Sequence, residues 1–216
     1  METIFHFILH PKEDLSTIIG LYHTLTYLIL FIIIFAETGL IVAPFLPGDS
    51  LLFAAGALLA PPNTTGLSIY VLALILIIAA FTGNTVNYLV GNYLGPKVFK
   101  PENKILKLDY YLQTKAFFDK HGGKAVILSR FMPIIRTIAP FVAGVGRMSF
   151  LRYSLYNIIG GASWIILFLL AGYELGQVEF FQKHFSLVGI VIIIISLLPP
   201  IIAGIKNRAS KKAATH

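Results

Sequence analysis

The chain has 216 residues, 56% of them hydrophobic and 12% charged, and its mean hydropathy of +0.80 excludes an ordinary soluble domain and marks an integral membrane protein. It contains no cysteine, which excludes disulfides, thiolate metal sites and cysteine nucleophiles. The net charge of +7 does not indicate a nucleic-acid partner, because it is concentrated: Lys97, Lys100, Lys104, Lys107, Lys115, Lys120 and Lys124 fall in one polar segment, and Lys206, Arg208, Lys211 and Lys212 lie in the tail. Both regions are expected on the cytoplasmic side of a membrane.

In chain order, "METIFHFILHPKEDLST" has acidic residues early and no small-residue cleavage site, so no removable signal peptide is expected. Leu25 to Val42 is apolar and would give about 27 Å of helix before Pro44 and Pro47 stop it. Leu51 to Ala60 supports only about 15 Å before Pro61-Pro62-Asn63, too short to cross roughly 30 Å of hydrocarbon. Leu67 to Leu94 is long enough to span, with Gly83, Gly91 and Gly95 allowing close helix contacts.

The polar segment 96–123 carries a helical pattern in Ile105, Leu108 and Leu112 with Phe117 and Phe118 nearby, entered after Pro101 and closed by Gly122-Gly123. It is read as an interfacial amphipathic helix resting on anionic lipid head groups; a solvated connecting helix is the alternative. "KAVILSRFMPIIRTIAPFVAGVG", Lys124 to Gly146, is again two short apolar arms, broken by Pro133 and Pro140. Tyr153 to Tyr173 and Leu187 to Ile205 are two further crossings, the second kinked or ended by Pro199-Pro200, followed by the basic tail 206–216. The Asn63-Thr64-Thr65 sequon is read as incidental.

Irregular backbone at membrane depth is tolerated only where protein or water satisfies it, so each broken segment is drawn as a re-entrant hairpin buried against spanning helices. The expected fold is all-α: one polytopic membrane domain with two re-entrant helical hairpins in an inverted repeat, residues 25–95 and 124–176, separated by the amphipathic segment. Phe45-Leu46-Pro47 matches Phe131-Met132-Pro133 at an offset of 86, and "GNYLG" (Gly91 to Gly95) matches "GYELG" (Gly172 to Gly176) at an offset of 81. Arg147 and Arg152 are expected on the lysine side, Glu174, Glu179 and Lys183 on the other. Whether Leu25 to Val42 spans or forms one hairpin arm is left open by hydropathy; a span is the reading preferred.

Four charges sit in the broken segments: Glu37, Asp49, Arg130 and Arg136. Each costs about 2.5–3.5 kcal/mol at bilayer depth on insertion scales. Salt bridges joining the hairpin tips would compensate them, but buried ion pairs rarely add net stability, so a pathway through the membrane is the sharper reading. Arginine presents a permanently charged fork suited to phosphate, whereas a carboxylate in a low-dielectric site can titrate near neutrality. Arg130 and Arg136 are therefore the expected anion-binding pair and Glu37 and Asp49 the proton carriers, in the plan of inverted-repeat transporters. Pro44, Pro47, Gly48, Pro133 and Pro140 are expected to form hairpin turns or line the pathway with Asn84 and Asn157. For Asn84, Asn87, Tyr88, Asn157 and Trp164, ordinary helix–helix hydrogen bonding and interfacial anchoring are the stronger reading.

The stretches "ETG…PFLPGDS" (Glu37 to Ser50), "GN…Y…G…G" (Gly83 to Gly95), "SRFMPIIRTIAPFVAG" (Ser129 to Gly144) and "N…G…W" (Asn157 to Trp164) resemble the DedA family, also called the SNARE-associated or VTT-domain family. The resemblance covers about residues 30 to 176 and implies movement of lipids between leaflets, linked in bacterial members to undecaprenyl phosphate or phosphatidylethanolamine and in eukaryotic ones to scrambling. It also implies dependence on proton-motive force, and it puts the family's functional acids and arginines on Glu37, Asp49, Arg130 and Arg136. The expected function is thus a flippase or scramblase for an anionic phospholipid or polyprenyl phosphate in the cell membrane, multi-pass with a cytoplasmic C-terminus. Its expected partners are the lipid, protons and interfacial head groups, with no cofactor and no metal. A lipid phosphatase is disfavoured because His6, His10, His23, His121, His184 and His216 all lie outside the hairpins. A proton-coupled exporter of small ions or solutes, or a non-transporting scaffold, are the alternatives.

Overall fold

The structure is a computed structural model that describes residues 11–40, 48–61, 65–95 and 108–178. Among these residues the backbone forms only helices, 3-10 turns and short connections. The chain runs through α1 (Pro11–Tyr22), a 3-10 turn at His23–Leu25, α2 (Thr26–Gly39), α3 (Gly48–Leu58) and α4 (Ile69–Leu94). It continues through α5 (Leu108–His121), a 3-10 turn at Gly122–Lys124, α6 (Ala125–Ser129), α7 (Pro133–Val145) and α8 (Phe150–Gly176). The expected prolines at 44 and 47, the lysines from 97 to 107, the C-terminal crossing and the basic tail lie outside the described residues.

Length separates the helices into two kinds. α4 has 26 residues and α8 has 27, each about 40 Å long and sufficient to cross hydrocarbon. Their outward faces carry exposed Leu74, Ile78, Leu89, Leu155, Ile159 and Leu167, a surface that only lipid solvates favourably. The run Leu15–Gly39 is also long and apolar enough to cross, but the turn at His23–Leu25 divides it and leaves α2 with 14 residues, about 21 Å. α3 and α7 have 11 and 13 residues and are short. α3 is apolar on every side because it is enclosed: Gly48 through Ala57 are all buried.

The second break differs from expectation. The chain leaves the helix at Arg130–Met132, and Pro133 opens α7 from its first turn, where a missing N–H costs nothing. Pro140, expected to break an arm, lies inside α7 instead. Proline removes one hydrogen bond there without ending the helix, because α7 is held along its length against α4 and α5. Gly95 makes no close contact and instead ends α4 at φ 67.

The two halves list the same elements in the same order, and their contacts cross over. α3 packs on α8, and α7 packs on α4. A Cβ on Gly56 would lie 2.1 Å from Leu169 O, and one on Gly144 would lie 2.1 Å from Tyr88 O. Gly172 meets Phe53 and Gly91 meets Phe141 in the same way, so the short helices α3 and α7 correspond at 88 residues and the long helices at 81. Contacts also fix direction. Tyr153 and Asn157 meet Asn84 and Phe81, while Gly161 approaches Ala80, so α4 and α8 are antiparallel. Phe53 faces Gly172 and Ala57 faces Gly176, so α3 runs parallel to α8. Tyr27 bonds Ser68 and Gly39 meets Gly83, so α2 runs parallel to α4. Gly123 meets Tyr156 and Gly160 meets Ile127, so α6 runs parallel to α8.

Candidate functional site

Four chain segments that end or begin short helices converge halfway along α4 and α8. Glu37 is in the last turn of α2, Asp49 in the first turn of α3, Arg130 just beyond α6 and Arg136 in the first turns of α7. Glu37, Arg130 and Asp49 are 2%, 5% and 9% exposed, so their charged groups are met by protein rather than by water.

Arg136 sits between the two acids. Its Nη2 donates to Glu37 Oε1 at 2.5 Å and its Nη1 to Asp49 Oδ1 at 2.7 Å. Asp49 Oδ1 also accepts the Trp164 indole N–H at 2.9 Å, and the Arg136 guanidinium stands 5.5 Å from the centre of that ring, close enough for cation–π attraction. The second oxygen of Glu37, Oε2, is buried without a hydrogen-bond partner among the described residues. It lies against Gly48, where a Cβ would fall 1.8 Å away; only glycine leaves room for that carboxylate beside the start of α3.

Arg130 has no carboxylate within ion-pair distance among the described residues. Its Nη2 donates to Asn157 Oδ1 at 2.5 Å. Asn157 Oδ1 accepts from Asn84 Nδ2 at 3.2 Å as well, and Asn157 Nδ2 donates to Phe81 O at 3.2 Å. Tyr153 OH donates to Asn84 O at 2.9 Å, and Asn87 Nδ2 to Thr137 O at 2.9 Å. Tyr88 OH donates to Met148 O. The two long helices are thus tied by an amide layer that ends on a guanidinium. Between that layer and the ion pairs lies a cavity of about 10 Å³ lined by Glu37, Thr38, Asn84, Arg130, Arg136, Thr137 and Trp164, the size of one water.

Glu37, Asp49, Arg130, Arg136, Asn84 and Asn157 are therefore brought together, with Gly48 beside them. Pro140 is not part of this cluster's hydrogen bonding, and Pro44 and Pro47 fall outside the described residues. Asn84, Asn87 and Tyr88 do make the helix–helix hydrogen bonds expected of them. Trp164, read as an interfacial anchor, is instead buried at mid-helix on Asp49. Tyr153 was missed, though Tyr153, Asn157 and Trp164 recur at spacings of four and seven and so share one face of α8.

The VTT domain matches residues 46–174. Protein DedA of Escherichia coli K12 is 46% identical over 210 residues, covering 96% of this chain and 95% of its own. A membrane protein of Mycobacterium leprae is 42% identical over 173 residues, 80% of this chain and 76% of its own. Inner membrane protein YqjA of Escherichia coli K12 is 34% identical over 164 residues, 73% and 71% of the two chains. No solved structure matches.

Proposed function

Because the chain belongs to the DedA family of VTT-domain membrane proteins, we propose that it moves an anionic phospholipid or polyprenyl phosphate between the leaflets of the cell membrane, coupled to protons. The observation that carries this reading is Arg136 held between Glu37 and Asp49 at the midpoint of two membrane-length helices, with Arg130 beside it bound to a neutral amide and to no carboxylate among the described residues.

The reading takes α2–α3 and α6–α7 as two re-entrant hairpins related by inversion. Their arms correspond in order and in packing, while α4 and α8 are antiparallel and each α3-type arm runs parallel to the long helix of the other half. α2 is then an arm of the first hairpin rather than a crossing. The α5 side, with Arg147 and Arg152, is the cytoplasmic side.

Charge balance gives the mechanism. Two carboxylates and two guanidiniums cancel, so a phosphate can reach the arginines only by displacing a carboxylate that has become neutral. Asp49 Oδ1 is held by two donors, Arg136 and Trp164. Glu37 has one free buried oxygen, and a proton placed there weakens its hold on Arg136. The phosphate then takes the vacated fork. A one-water cavity does not admit a head group, so the hairpin tips must part as binding occurs. The protein's own part is to bind, orient and release; no bond of the lipid is broken.

The test is transbilayer movement in proteoliposomes carrying a labelled polyprenyl phosphate or phospholipid under an imposed pH gradient. Arg136→Ala, folded by circular dichroism, is expected to abolish movement, and Glu37→Gln to remove its dependence on the gradient. Unchanged lipid movement in Arg136→Ala overturns the reading, and flux of a soluble anion without lipid movement replaces it with a solute exporter.

A further inference from the structure

The two halves of the molecule differ at one matched place. The turn before each first hairpin arm uses a left-handed residue, His23 at φ 42 and Gly122 at φ 57, which aligns α1 with α5 at an offset of 99. In the first half the inward positions of α1 are Leu15 and Ile19, 0% and 6% exposed and part of the apolar core. Their counterparts on α5 are Thr114 and Phe118. Beneath α5 lies a cavity of about 310 Å³ whose lining includes Lys115, Phe118, Asp119, Val142, Met148 and Arg152.

This cavity is distinct from the charged centre. It lies at the far end of α7, ten residues beyond Arg136, or about 15 Å along the helix. Its floor is apolar, in Phe118, Val142, Ala143 and Met148. Its mouth is basic: Lys115, held to Asp119 by a 2.9 Å bond, and the exposed Arg152. A third cation, the exposed Arg147, lies in the chain between the lining residues Gly146 and Met148. α7 ends in a Schellman turn, with Met148 N–H donating to Ala143 O at 3.0 Å and Arg147 N–H to Gly144 O at 2.9 Å, and the left-handed residue of that turn is Arg147, at φ 52. Glycine is the unstrained choice at that position, so an arginine held there points to use of its side chain.

We infer that the cavity beneath α5 is a binding site for the phosphate head group of an amphiphile, with Lys115, Arg147 and Arg152 around the phosphate and the apolar floor beneath its first carbons. Volume, polarity and position agree: about 310 Å³ holds a small head group, and the cavity opens at the end of the molecule where α4 finishes and α8 begins. The occupant is a lipid phosphate rather than a free one because half the lining is apolar. The ligand class rests on the lipid-transport reading, and the site makes the α5 side the loading side.

The experiment is calorimetric titration of the full chain, in micelles of an uncharged detergent, with short-chain phosphatidic acid, chain-matched diacylglycerol and inorganic phosphate. Phosphatidic acid is expected to bind, and Arg152→Gln to weaken it about tenfold through loss of one charge-assisted contact. Gly146→Phe, at a backbone position of φ −75 that accepts a side chain, is expected to block binding by occupying the mouth. Arg147→Gly is expected to raise the melting temperature while weakening binding, a pair of effects that a purely structural role does not produce. Equal affinity for phosphatidic acid in the wild type and all three variants overturns the site. Inorganic phosphate binding as tightly as phosphatidic acid overturns its assignment to lipid. Arg136→Ala separates the two claims: it is expected to lose lipid movement and keep phosphatidic acid binding.

Discussion

Arg136 holds two acids with two different nitrogens, and that division of labour is testable. Arg136→Lys keeps the charge but offers a point donor in place of a fork, so it is expected to fold while losing one of the two pairs. Arg136→Ala leaves Glu37 and Asp49 uncompensated and is expected to cost about 3–5 kcal/mol, read as a fall in denaturation midpoint. Trp164→Phe retains a ring under the guanidinium and deletes only the donor to Asp49; a loss of about 1.5 kcal/mol is expected in the same measurement. At this scale the charges themselves were plain from sequence, because four ionisable residues inside proline-broken apolar runs have no cheap explanation. Their pairing was not. Nothing in the order of residues says that Arg136 takes both carboxylates while Arg130 takes Asn157, since that depends on how two distant turns meet.

The helices are closely fitted where the short arms lie on the long ones. Gly56 and Gly144 occupy equivalent places at these contacts, each with a carbonyl about 2.1 Å from where a Cβ would sit. Gly56→Val and Gly144→Val are therefore expected to destabilise by similar amounts, about 3 kcal/mol each, measured by thermal unfolding in detergent. Unequal effects would show that one arm repacks more freely than the other. The lengths of α4 and α8 could be read from apolar runs, and the glycine pattern gave the offset of 81 before any contact was known. Proline was the less reliable guide. Pro140 sits within α7 because neighbouring helices secure the turn it weakens, a tertiary effect that local propensity does not contain. The turn at His23–Leu25 was also hidden, since its left-handed residue is a histidine rather than a glycine.

For the whole molecule, the proposed inversion makes a prediction that the absence of cysteine makes easy to check. Ser68 and Ser149 precede α4 and α8 at the offset of 81, both exposed and neither capping its helix through the side chain. In a cysteine-free background, Ser68→Cys and Ser149→Cys are expected to react with an impermeant thiol reagent from opposite faces of the membrane in intact cells; reaction from one face removes the inversion. Short matched strings of sequence suggested a duplication, but the hollow under α5 could not be read there, because it depends on volumes rather than residue classes. The centre of the molecule carries one last consequence. A space of about 10 Å³ walled by one carboxylate and two guanidiniums gives hydrated sodium or potassium no room. In this conformation the charged centre is a plug to such ions, and a voltage across it does not discharge at that point.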